Sequence, residues 1–401
     1  MLLLASPQVA EAYDTTRPEF EAYVEKVADW FGGQSQSYAE IDEAARAAGD
    51  STDAGFGFRI ALKIAESRRT LSALEQPLTL TLINPVYKET GRIQRREEHP
   101  HGENSIRCKA DALKGLENLN PKLTCQLVVV DDECPNNSGQ MAEEILRSDY
   151  PEEYSTGKFQ ALYLREAIDS GDADVPPGLT HKDGANRSVK GGAVLYGMRK
   201  IVGQDVEGLH IIVDNDADLS IHPSQLGLLA GPILAGEAQA IAGSRRETDS
   251  VALIGGSRDT RGQLFIKIWQ HFLPGLAELI TDTNRAFKAF AAPALAQILD
   301  KIKIYTFPYQ IELLQACVSG GIALQKRGIA YVDSEAASTQ QGEAITETYL
   351  NQVHQIIDIA KRYQTLPSSD PLMRFLEEIS EERWMEIENN PPEQLADLLN
   401  A

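Results

Sequence analysis

The chain of 401 residues is poor in cysteine and has no long apolar run. Its four cysteines, Cys108, Cys125, Cys134 and Cys317, have neither the spacing of a zinc site nor the density of a disulfide scaffold. A reducing cytoplasm is therefore the expected compartment. No segment reaches the roughly 20 apolar residues of a membrane span, and residues 1–5 lack the length and the basic start of a signal peptide.

Basic residues are also scarce, with 38 Lys and Arg against 59 Asp and Glu and a formal charge of −21. Nucleic acids and anionic membranes are bound through clustered Lys and Arg, so neither is an expected main partner. The composition is otherwise ordinary for a globular protein, and the length allows two or three domains.

The N-terminal part has helical patterning. Residues 18–31 carry apolar side chains at helical spacing, and residues 38–48 and 58–74 repeat the pattern. Residues 1–76 are therefore predicted to form a helical N-terminal extension. A packing appendage is the favoured interpretation, and acceptor gating or oligomerisation is the alternative.

The centre of the chain, residues 77–340, alternates strand-like and helix-like runs. This alternation favours an α/β domain with a parallel, doubly wound sheet. A long helical pattern covers residues 261–280 and is predicted to pack in the core. Helical spacing returns in residues 341–401, where either a brace on the core or a homodimer interface would explain the apolar faces. The predicted strands cover residues 78–83, 126–130, 159–164, 209–213, 238–243 and 329–332.

Acidic residues follow three of the predicted strands. Ligands of parallel sheets bind beyond the carboxyl ends of the strands, so these acids are expected near a ligand. Solvated loop acids are the alternative, which becomes less attractive when three strands share the feature. The acids are Glu89 after the first strand, Asp131 and Asp132 after the second, and Asp214, Asp216 and Asp218 after the run at 209–213.

The last of these acids are spaced two residues apart. In an extended geometry such residues point the same way, so Asp216 with Asp218, or Asp214 with Asp216, would present two carboxylates to one cation. Mg²⁺ and Mn²⁺ take a few carboxylates together with phosphate oxygens, which suits a nucleotide diphosphate.

Residues 188–194, Ser-Val-Lys-Gly-Gly-Ala-Val, begin a predicted helix just before the aspartate strand. Glycines at a helix start let backbone N–H groups approach a phosphate, and Lys190 adds a positive charge. An ordinary helix start is the alternative. The position of the segment favours phosphate binding.

Three segments together resemble family-2 glycosyltransferases with the GT-A fold. Residues 84–89, Asn-Pro-Val-Tyr-Lys-Glu, are similar to the P-x-Y-N-E motif of that family, and residues 128–132, Val-Val-Val-Asp-Asp, to V-V-D-D-G-S. Residues 216–220, Asp-Ala-Asp-Leu-Ser, are similar to the D-A-D-L-S metal motif.

This resemblance implies a GT-A core that binds a nucleotide sugar. It implies that Glu89 and Asp131 approach the base and ribose, with Pro85 and Tyr87 also on the donor side. It further implies that Asp216 and Asp218 hold Mg²⁺ or Mn²⁺ on the diphosphate and that Lys190 lies in a segment similar to the G-K-G-x-A of the family.

Two departures concern the nucleotide pocket. Lys88 replaces the usual Asn, and residues 133–137, Glu-Cys-Pro-Asn-Asn, replace Gly-Ser-x-Asp. The base is therefore left open between UDP and GDP sugars, with a UDP-hexose favoured.

Two further segments resemble polyprenyl- and dolichyl-phosphate hexosyltransferases and their soluble relatives. Residues 282–290, Asp-Thr-Asn-Arg-Ala-Phe-Lys-Ala-Phe, are similar to D-T-Q-C-G-F-K-A-F. The resemblance places Asp282 near the transferred sugar, and it lets Arg285 and Lys288 face a phosphate or another anion. The arginine is unusual at this place and suggests a changed acceptor.

Residues 307–314 contain a segment similar to F-D-V-E-L-L of the same relatives. Glu312 is therefore the first candidate for the general base that takes the proton from an acceptor hydroxyl, and Asp282 is the second. An acid favoured by the helix dipole is the alternative interpretation of Glu312.

The resulting prediction is a soluble, metal-dependent glycosyltransferase that moves a hexose from a nucleotide-diphosphate sugar to a small or soluble acceptor, with inversion as the expected course. One alternative is a lipid-phosphate hexosyltransferase at a membrane surface. A second is a nucleotidyltransferase, which the absence of a basic Gly-rich loop after the first strand disfavours. A third is a non-catalytic nucleotide-sugar binder.

Overall fold

A computed structural model describes residues 18–49, 53–253, 259–333 and 344–399. The strands are β1 (Leu78–Val86), β2 (Leu123–Asp131), β3 (Phe159–Tyr163), β4 (Leu209–Asp214), β5 (Ala240–Ser244), β6 (Val251–Leu253), β7 (Lys288–Ala291), β8 (Leu324–Gly328) and β9 (Ala330–Val332). The helices up to β5 are α1 (Pro18–Gly32), α2 (Tyr38–Gly49), α3 (Asp53–Ser72), α4 (Thr90–Ile93), α5 (Ser105–Glu117), α6 (Ser138–Asp149), α7 (Pro151–Ser155), α8 (Leu164–Ser170), α9 (Gly191–Val202) and α10 (Leu226–Leu234). Those after β6 are α11 (Asp259–Phe272), α12 (Pro274–Ala277), α13 (Ala292–Ala296), α14 (Tyr309–Ser319), α15 (Ala344–Tyr363), α16 (Pro371–Glu378) and α17 (Glu381–Asn389).

The main sheet has seven strands in the order β3-β2-β1-β4-β7-β5-β8. All neighbouring pairs are parallel except those of β7, which runs antiparallel to both β4 and β5. The interior strand β1 is buried along its whole length, as expected for a strand covered on both faces of the sheet. The α/β class predicted from the sequence is confirmed, as is the mainly parallel sheet.

The strand order changes direction between β1 and β4. The chain passes outward from β1 through β2 to β3, and it returns to the other side of β1 as β4. Ligands of open α/β sheets bind in the crevice that such a reversal opens at the carboxyl edge. The register pairs Ile83 with Asp214 and Val86 with Asp131, so the ends of β4 and β2 flank the end of β1.

Three strands were missing from the sequence prediction. β7 lies in the segment interpreted as a motif, and β6 and β8 are short or carry polar side chains. A small second sheet pairs β6 with β9. Its register brings residues 251–253 beside residues 330–332, a pairing too distant in sequence to be predicted from periodicity.

The N-terminal extension is helical, with α1, α2 and α3 near the predicted positions. Its core contains Phe31, Tyr38 and Phe58 together with Val251 and Ala330 from the small sheet. The following residues, Leu71 and Leu74, belong to the main core instead. The extension is thus packed against the α/β part through α3. Residues 1–17 lie outside the described part of the chain.

The predicted helix over residues 261–280 is wrong in its length. α11 ends at Phe272 and α12 begins at Pro274. Proline has no backbone N–H to donate, and it forces the residue before it out of the helical region, which is seen at Leu273 with φ −127° and ψ 62°.

The C-terminal helices cover the core with their apolar faces. Val353, Ile356 and Ala360 of α15 are fully buried, and α15 packs on α11 and α14. These contacts fit the brace interpretation, while a dimer interface stays a prediction. The predicted domain boundary at residue 340 falls outside the described residues. No helix in the described ranges combines the length and apolarity that crossing a membrane requires.

Candidate functional site at the carboxyl edge of the sheet

Four loops meet at the carboxyl edge near the β1–β4 crevice. They are residues 87–89 after β1, 131–134 after β2, 214–220 after β4, and 282–287 before β7. The first three were predicted from strand-end acids. The fourth joins them because the antiparallel strand β7 begins at the edge where β4 ends.

Asp214 closes β4 and is fully buried. Its Oδ1 accepts a hydrogen bond from the backbone N–H of Lys288 (2.8 Å), and its Oδ2 accepts one from the Tyr309 hydroxyl (2.9 Å). Burial raises the pKa of the Asp214 carboxyl, although the nearby charge of Lys288 acts to lower it. Asp214 therefore fastens β7 and α14 to β4, and Asp216 with Asp218 is left as the pair for a cation.

Asp216 and Asp218 are half-buried beyond the strand. The Lys190 ammonium forms an ion pair with Asp216 Oδ1, and Asp218 Oδ1 accepts the N–H of Ser220 at 3.1 Å. Burial would raise the pKa of Asp216, but the charges of Lys190 and Arg285 outweigh burial and lower it. The structure thus brings together the predicted residues Lys190, Asp216 and Asp218.

Arg285 reaches the same place from the loop before β7. Its guanidinium lies over the Tyr331 ring, 4.9 Å from the ring centroid. Although burial lowers the pKa of this guanidinium, Tyr331 and the carboxylates of Asp216 and Asp218 raise it above its ordinary value. Arg285 and Lys190 therefore both supply positive charge beside the aspartates.

Lys288 does not face this edge. Its side chain is fully buried, and its ammonium donates to the carbonyl oxygen of Arg285 and to Gln310 Oε1, the latter at 3.0 Å. Burial lowers its pKa to about 8. In this structure Lys288 supports the loop that carries Arg285, which differs from the predicted contact with an anion.

The loops after β1 carry the residues predicted to face the donor. Pro85 is buried within β1, and Tyr87 is half-buried with the Lys182 ammonium 4.5 Å from its ring centroid. Glu89 accepts a hydrogen bond from Arg92 at 2.5 Å. Burial raises the pKa of Glu89, and the nearby Asp218 adds to this effect.

The two acids after β2 accept hydrogen bonds from different parts of the site. Asp131 accepts the backbone N–H groups of Cys134 (2.8 Å) and Gly139 (2.9 Å), so it fastens the start of α6. Asp132 accepts the Lys182 ammonium (2.7 Å) and the backbone N–H of Lys190 (2.9 Å). Both oxygens of the predicted donor residue Asp131 are thus used locally, and Asp132 connects two loops of the site.

Lys190 has an unusual backbone conformation, with φ at 69°. The hydrogen bond to Asp132 holds it there. A Cβ on Gly191 would lie 2.7 Å from the backbone carbonyl of Tyr305, and one on Gly192 would lie 2.7 Å from the Ser188 side chain. The glycines are therefore required by close packing at the start of α9, a reason that the sequence did not reveal.

The two predicted catalytic carboxylates are both engaged. Asp282 is buried, and its carboxylate accepts hydrogen bonds from the Arg245 side chain at 2.6 and 2.8 Å. Burial would raise the pKa of Asp282, but Arg245 outweighs burial and lowers it. Glu312 is fully buried, accepts the N–H groups of Lys303 and Ile304, and is ion-paired with Arg362.

The partners of Glu312 line an open cleft. They are residues 303–304 and Arg362, and the cleft of about 340 Å³ also includes residues 185–187, shortly before Lys190. The structure therefore brings Asp282, on the loop of Arg285, into the site, and it buries Glu312 behind the lining of this cleft.

A divalent metal ion can be tested against the side chains present. Among the described residues, no group of three or more His, Cys, Asp or Glu side chains is arranged to hold one. The site offers the Asp216–Asp218 pair, one member of which is ion-paired with Lys190. Mg²⁺ and Mn²⁺ are often bound by one or two carboxylates together with substrate phosphates. The residues fit a metal that binds together with a diphosphate.

Three residues that support the site were not among the predicted site residues. Lys109 of α5 is fully buried and donates to Asn84 Oδ1 and to the carbonyl oxygen of Asp216. Arg245 forms an ion pair with Asp282, and the ring of Tyr331 packs against the guanidinium of Arg285. The sequence signal for Lys109 is its position on the otherwise apolar face of α5 with Ile106 and Ala110.

The chain matches no protein-family model and no curated protein. It is similar to crystal structures of glucosyl-3-phosphoglycerate synthase from Mycobacterium tuberculosis. The complex with Mn²⁺, UDP and glucosyl-3-phosphoglycerate matches at 14% identity and TM-score 0.44, over 76% of this chain and 85% of the other. The complex with Mn²⁺ and UDP-glucose matches at 16% identity and TM-score 0.45, over 76% and 84%. Similarity of this size assigns no activity.

Proposed function

We propose that this chain is a metal-dependent glycosyltransferase with a GT-A core that transfers a hexose from a UDP-sugar to a small acceptor. One observation carries the proposal. Asp216 and Asp218 lie at the crevice between β1 and β4, and the side chains of Lys190 and Arg285 converge on them from two other loops. Paired carboxylates with flanking cations suit a metal-bound diphosphate.

Different residues would bind different parts of the donor. Asp216 and Asp218 would hold Mg²⁺ or Mn²⁺, which when bound neutralises the leaving diphosphate. Lys190 and Arg285 would contribute further positive charge at the diphosphate oxygens. The loops after β1 and β2, with Tyr87 and the acids predicted from the motifs, would bind the nucleoside.

An acceptor hydroxyl must lose a proton as it attacks the anomeric carbon, and a carboxylate within reach can accept it. We assign this role to Asp282 before Glu312. Asp282 lies on the loop of Arg285, and its interaction with Arg245 keeps it ionised. Direct attack by the acceptor would give inversion. The branch of family-2 enzymes to which the chain is nearest stays a prediction.

Calorimetric titration tests the proposal directly. UDP-glucose, UDP-N-acetylglucosamine and GDP-mannose are each titrated with and without Mn²⁺. We expect one UDP-sugar to bind in a metal-dependent way, and we expect Asp218→Asn to weaken that binding at least about tenfold, because a neutral amide is a poor metal ligand.

Asp300→Asn is the matched control, because Asp300 is a surface carboxylate paired with Arg199 far along the chain from the motif. It should leave binding unchanged. Absence of metal-dependent binding for all three donors, or equal binding by wild type and Asp218→Asn, would contradict the proposed function.

A further inference from the structure

A buried lysine lies directly beneath the aspartate motif. Lys109 has no exposed surface, and its ammonium donates to Asn84 Oδ1 and to the carbonyl oxygen of Asp216. On the other side of Asp218, Glu103 Oε2 accepts the backbone N–H of Leu219 at 2.9 Å. The segment that contains α5 therefore holds the backbone of the motif on both sides of Asp218.

The charges around Lys109 are mainly negative. The carboxylates near enough to stabilise its charged form are those of Asp218, Asp216, Glu103 and Glu89. Other cations pair with the same acids, Arg92 with Glu89 and Glu103 and Lys190 with Asp216. Lys109 differs from them in its full burial, and it places a positive charge on the protein side of the carboxylates that would receive a metal.

Packing alone does not explain a lysine at this position. Neighbours on the same face of α5 are Ile106, Ala110 and Leu113, all without exposed surface. An apolar side chain would continue this stripe without the cost of burying a charge, which is several kcal/mol for an ammonium group in a protein interior. The charge has its partners in the motif, so its effect is expected there.

We propose that Lys109 is a positioning residue that fixes the Asp216 carbonyl and tunes which ligands the motif accepts. Its charge weakens the binding of a divalent cation alone and strengthens the binding of a nucleotide diphosphate alone. The motif therefore binds the metal well only when a diphosphate supplies further ligands. This inference rests on the proposed function, since it requires Asp216 and Asp218 to hold the metal.

The test separates this electrostatic role from a structural one. Mn²⁺ binding without nucleotide is measured by electron paramagnetic resonance, and UDP binding without metal by calorimetry. In Lys109→Met we expect Mn²⁺ to bind about tenfold more tightly, because a positive charge that repels it is removed. We expect UDP to bind more weakly, because the same charge attracts its diphosphate. Mere loosening of the motif would weaken both.

Two lysine variants serve as controls. Lys109→Arg keeps the charge and should leave Mn²⁺ affinity within about twofold of wild type. Lys63→Met removes another fully buried lysine, one that contacts Asp249 and the carbonyl oxygen of Gly328 instead of the motif. It should change neither affinity.

Glu103→Gln supplies a test should Lys109→Met not fold. It removes a negative charge from the same cluster, so Mn²⁺ should bind more weakly than in wild type. The inference is overturned if Lys109→Met weakens both ligands or changes neither, or if Glu103→Gln leaves Mn²⁺ affinity unchanged. Failure of wild type to bind Mn²⁺ even with UDP present would instead contradict the proposed metal dependence, and this inference with it.

Discussion

Asp282 and Glu312 show how two buried carboxylates of similar appearance in sequence differ in their surroundings. Asp282 accepts the side chain and the backbone N–H of the single residue Arg245, whereas Glu312 accepts the N–H groups of residues 303–304 and pairs with Arg362. Glu312 thus connects α14 to residues 303–304 and to α15, and its removal leaves the donors of both segments without a charged acceptor.

The two carboxylates can be separated by substitution. We expect Asp282→Asn to lower kcat by about 100-fold or more, since general-base help is worth about 10²–10⁴. Glu312→Gln should change kcat only a few-fold and lower the free energy of unfolding by about 2 kcal/mol, through loss of charged hydrogen bonds. Steady-state kinetics and urea denaturation of both variants measure the difference.

The reverse pattern would have a clear meaning. A large loss of kcat in Glu312→Gln, with near-normal turnover in Asp282→Asn, would return the base to Glu312, the first choice from the sequence motif. The Arg362 pair would then have to open during catalysis.

At the scale of elements, helix α10 is fitted closely against α3. The backbone N–H of Gly227 donates to Ser67 Oγ at 2.8 Å, and a Cβ at this glycine would lie 2.1 Å from the carbonyl oxygen of Ser67. No side chain can be placed there without moving one helix. The contact fixes the distance between the N-terminal extension and the helix that leads into β5.

We therefore expect Gly227→Ala to lower the free energy of unfolding by about 3 kcal/mol, the upper part of the usual range for overpacking. Gly115 in the interior of α5 is the control, because a Cβ there would meet no atom within 4 Å. Gly115→Ala should be neutral or stabilising by up to about 1 kcal/mol. Equal effects of the two substitutions in urea denaturation would show that the close contact is not rigid.

For the whole molecule, two apolar clusters are joined through α3. Residues 58–65 of α3 pack in the smaller cluster with Val251 and Ala330, while Leu71 in its last turn and Leu74 just after it belong to the main core. Loss of one cluster therefore exposes the other. We expect the described parts to unfold together, so that a buried titratable group in the main core affects the stability of the whole chain.

Two buried histidines give such an effect. Burial lowers the pKa of both His210 and His222 to about 4, with Arg68 and Lys109 adding to the shift at His222. His210 Nε2 contacts the Thr81 hydroxyl at 2.8 Å. The unfolded chain takes up these protons near pH 6.5, so it binds more protons than the folded chain at pH values between about 4 and 6.5.

Stability should consequently fall as pH decreases from 6.5 towards 4, by about 2 kcal/mol for each histidine at pH 5. His222→Asn keeps an acceptor for the Ser224 N–H, which His222 Nδ1 now receives. We expect it to remove about 2 kcal/mol of the difference in unfolding free energy between pH 7 and pH 5. The exposed His101 provides the control substitution His101→Asn. Parallel pH profiles for wild type and His222→Asn would contradict the assignment.

Part of the site was predictable because its signals are local. Apolar runs that end in acids predicted β1, β2 and β4 and placed Asp216 and Asp218 at a shared edge. The nearness of Lys190 to these aspartates followed from its position one helix earlier in an alternating fold. Pro274 also gave a local signal, and the predicted helix through it was wrong because that signal was not applied.

Other parts depend on contacts between residues far apart in the chain. Asp214 and Asp218 were alternative partners of Asp216 in the sequence, and the contacts of Asp214 with Lys288 and Tyr309 decided in favour of Asp218. Tyr331 meets Arg285 because β9 lies beside the motif, where the Val332 N–H donates to the carbonyl oxygen of Ser220. No spacing rule connects such positions.

The sequence by itself determined the α/β class, the strands that carry the aspartate motif, and the acidic, helix-flanked character of the chain, because periodicity and strand ends are properties of neighbouring residues. The tertiary structure decided which charges oppose one another. It turned Lys288 and Glu312 inward, brought Arg285 to the aspartates, and set Lys109 beneath them. These choices follow from sheet register and helix packing, which join residues that are not neighbours in the chain.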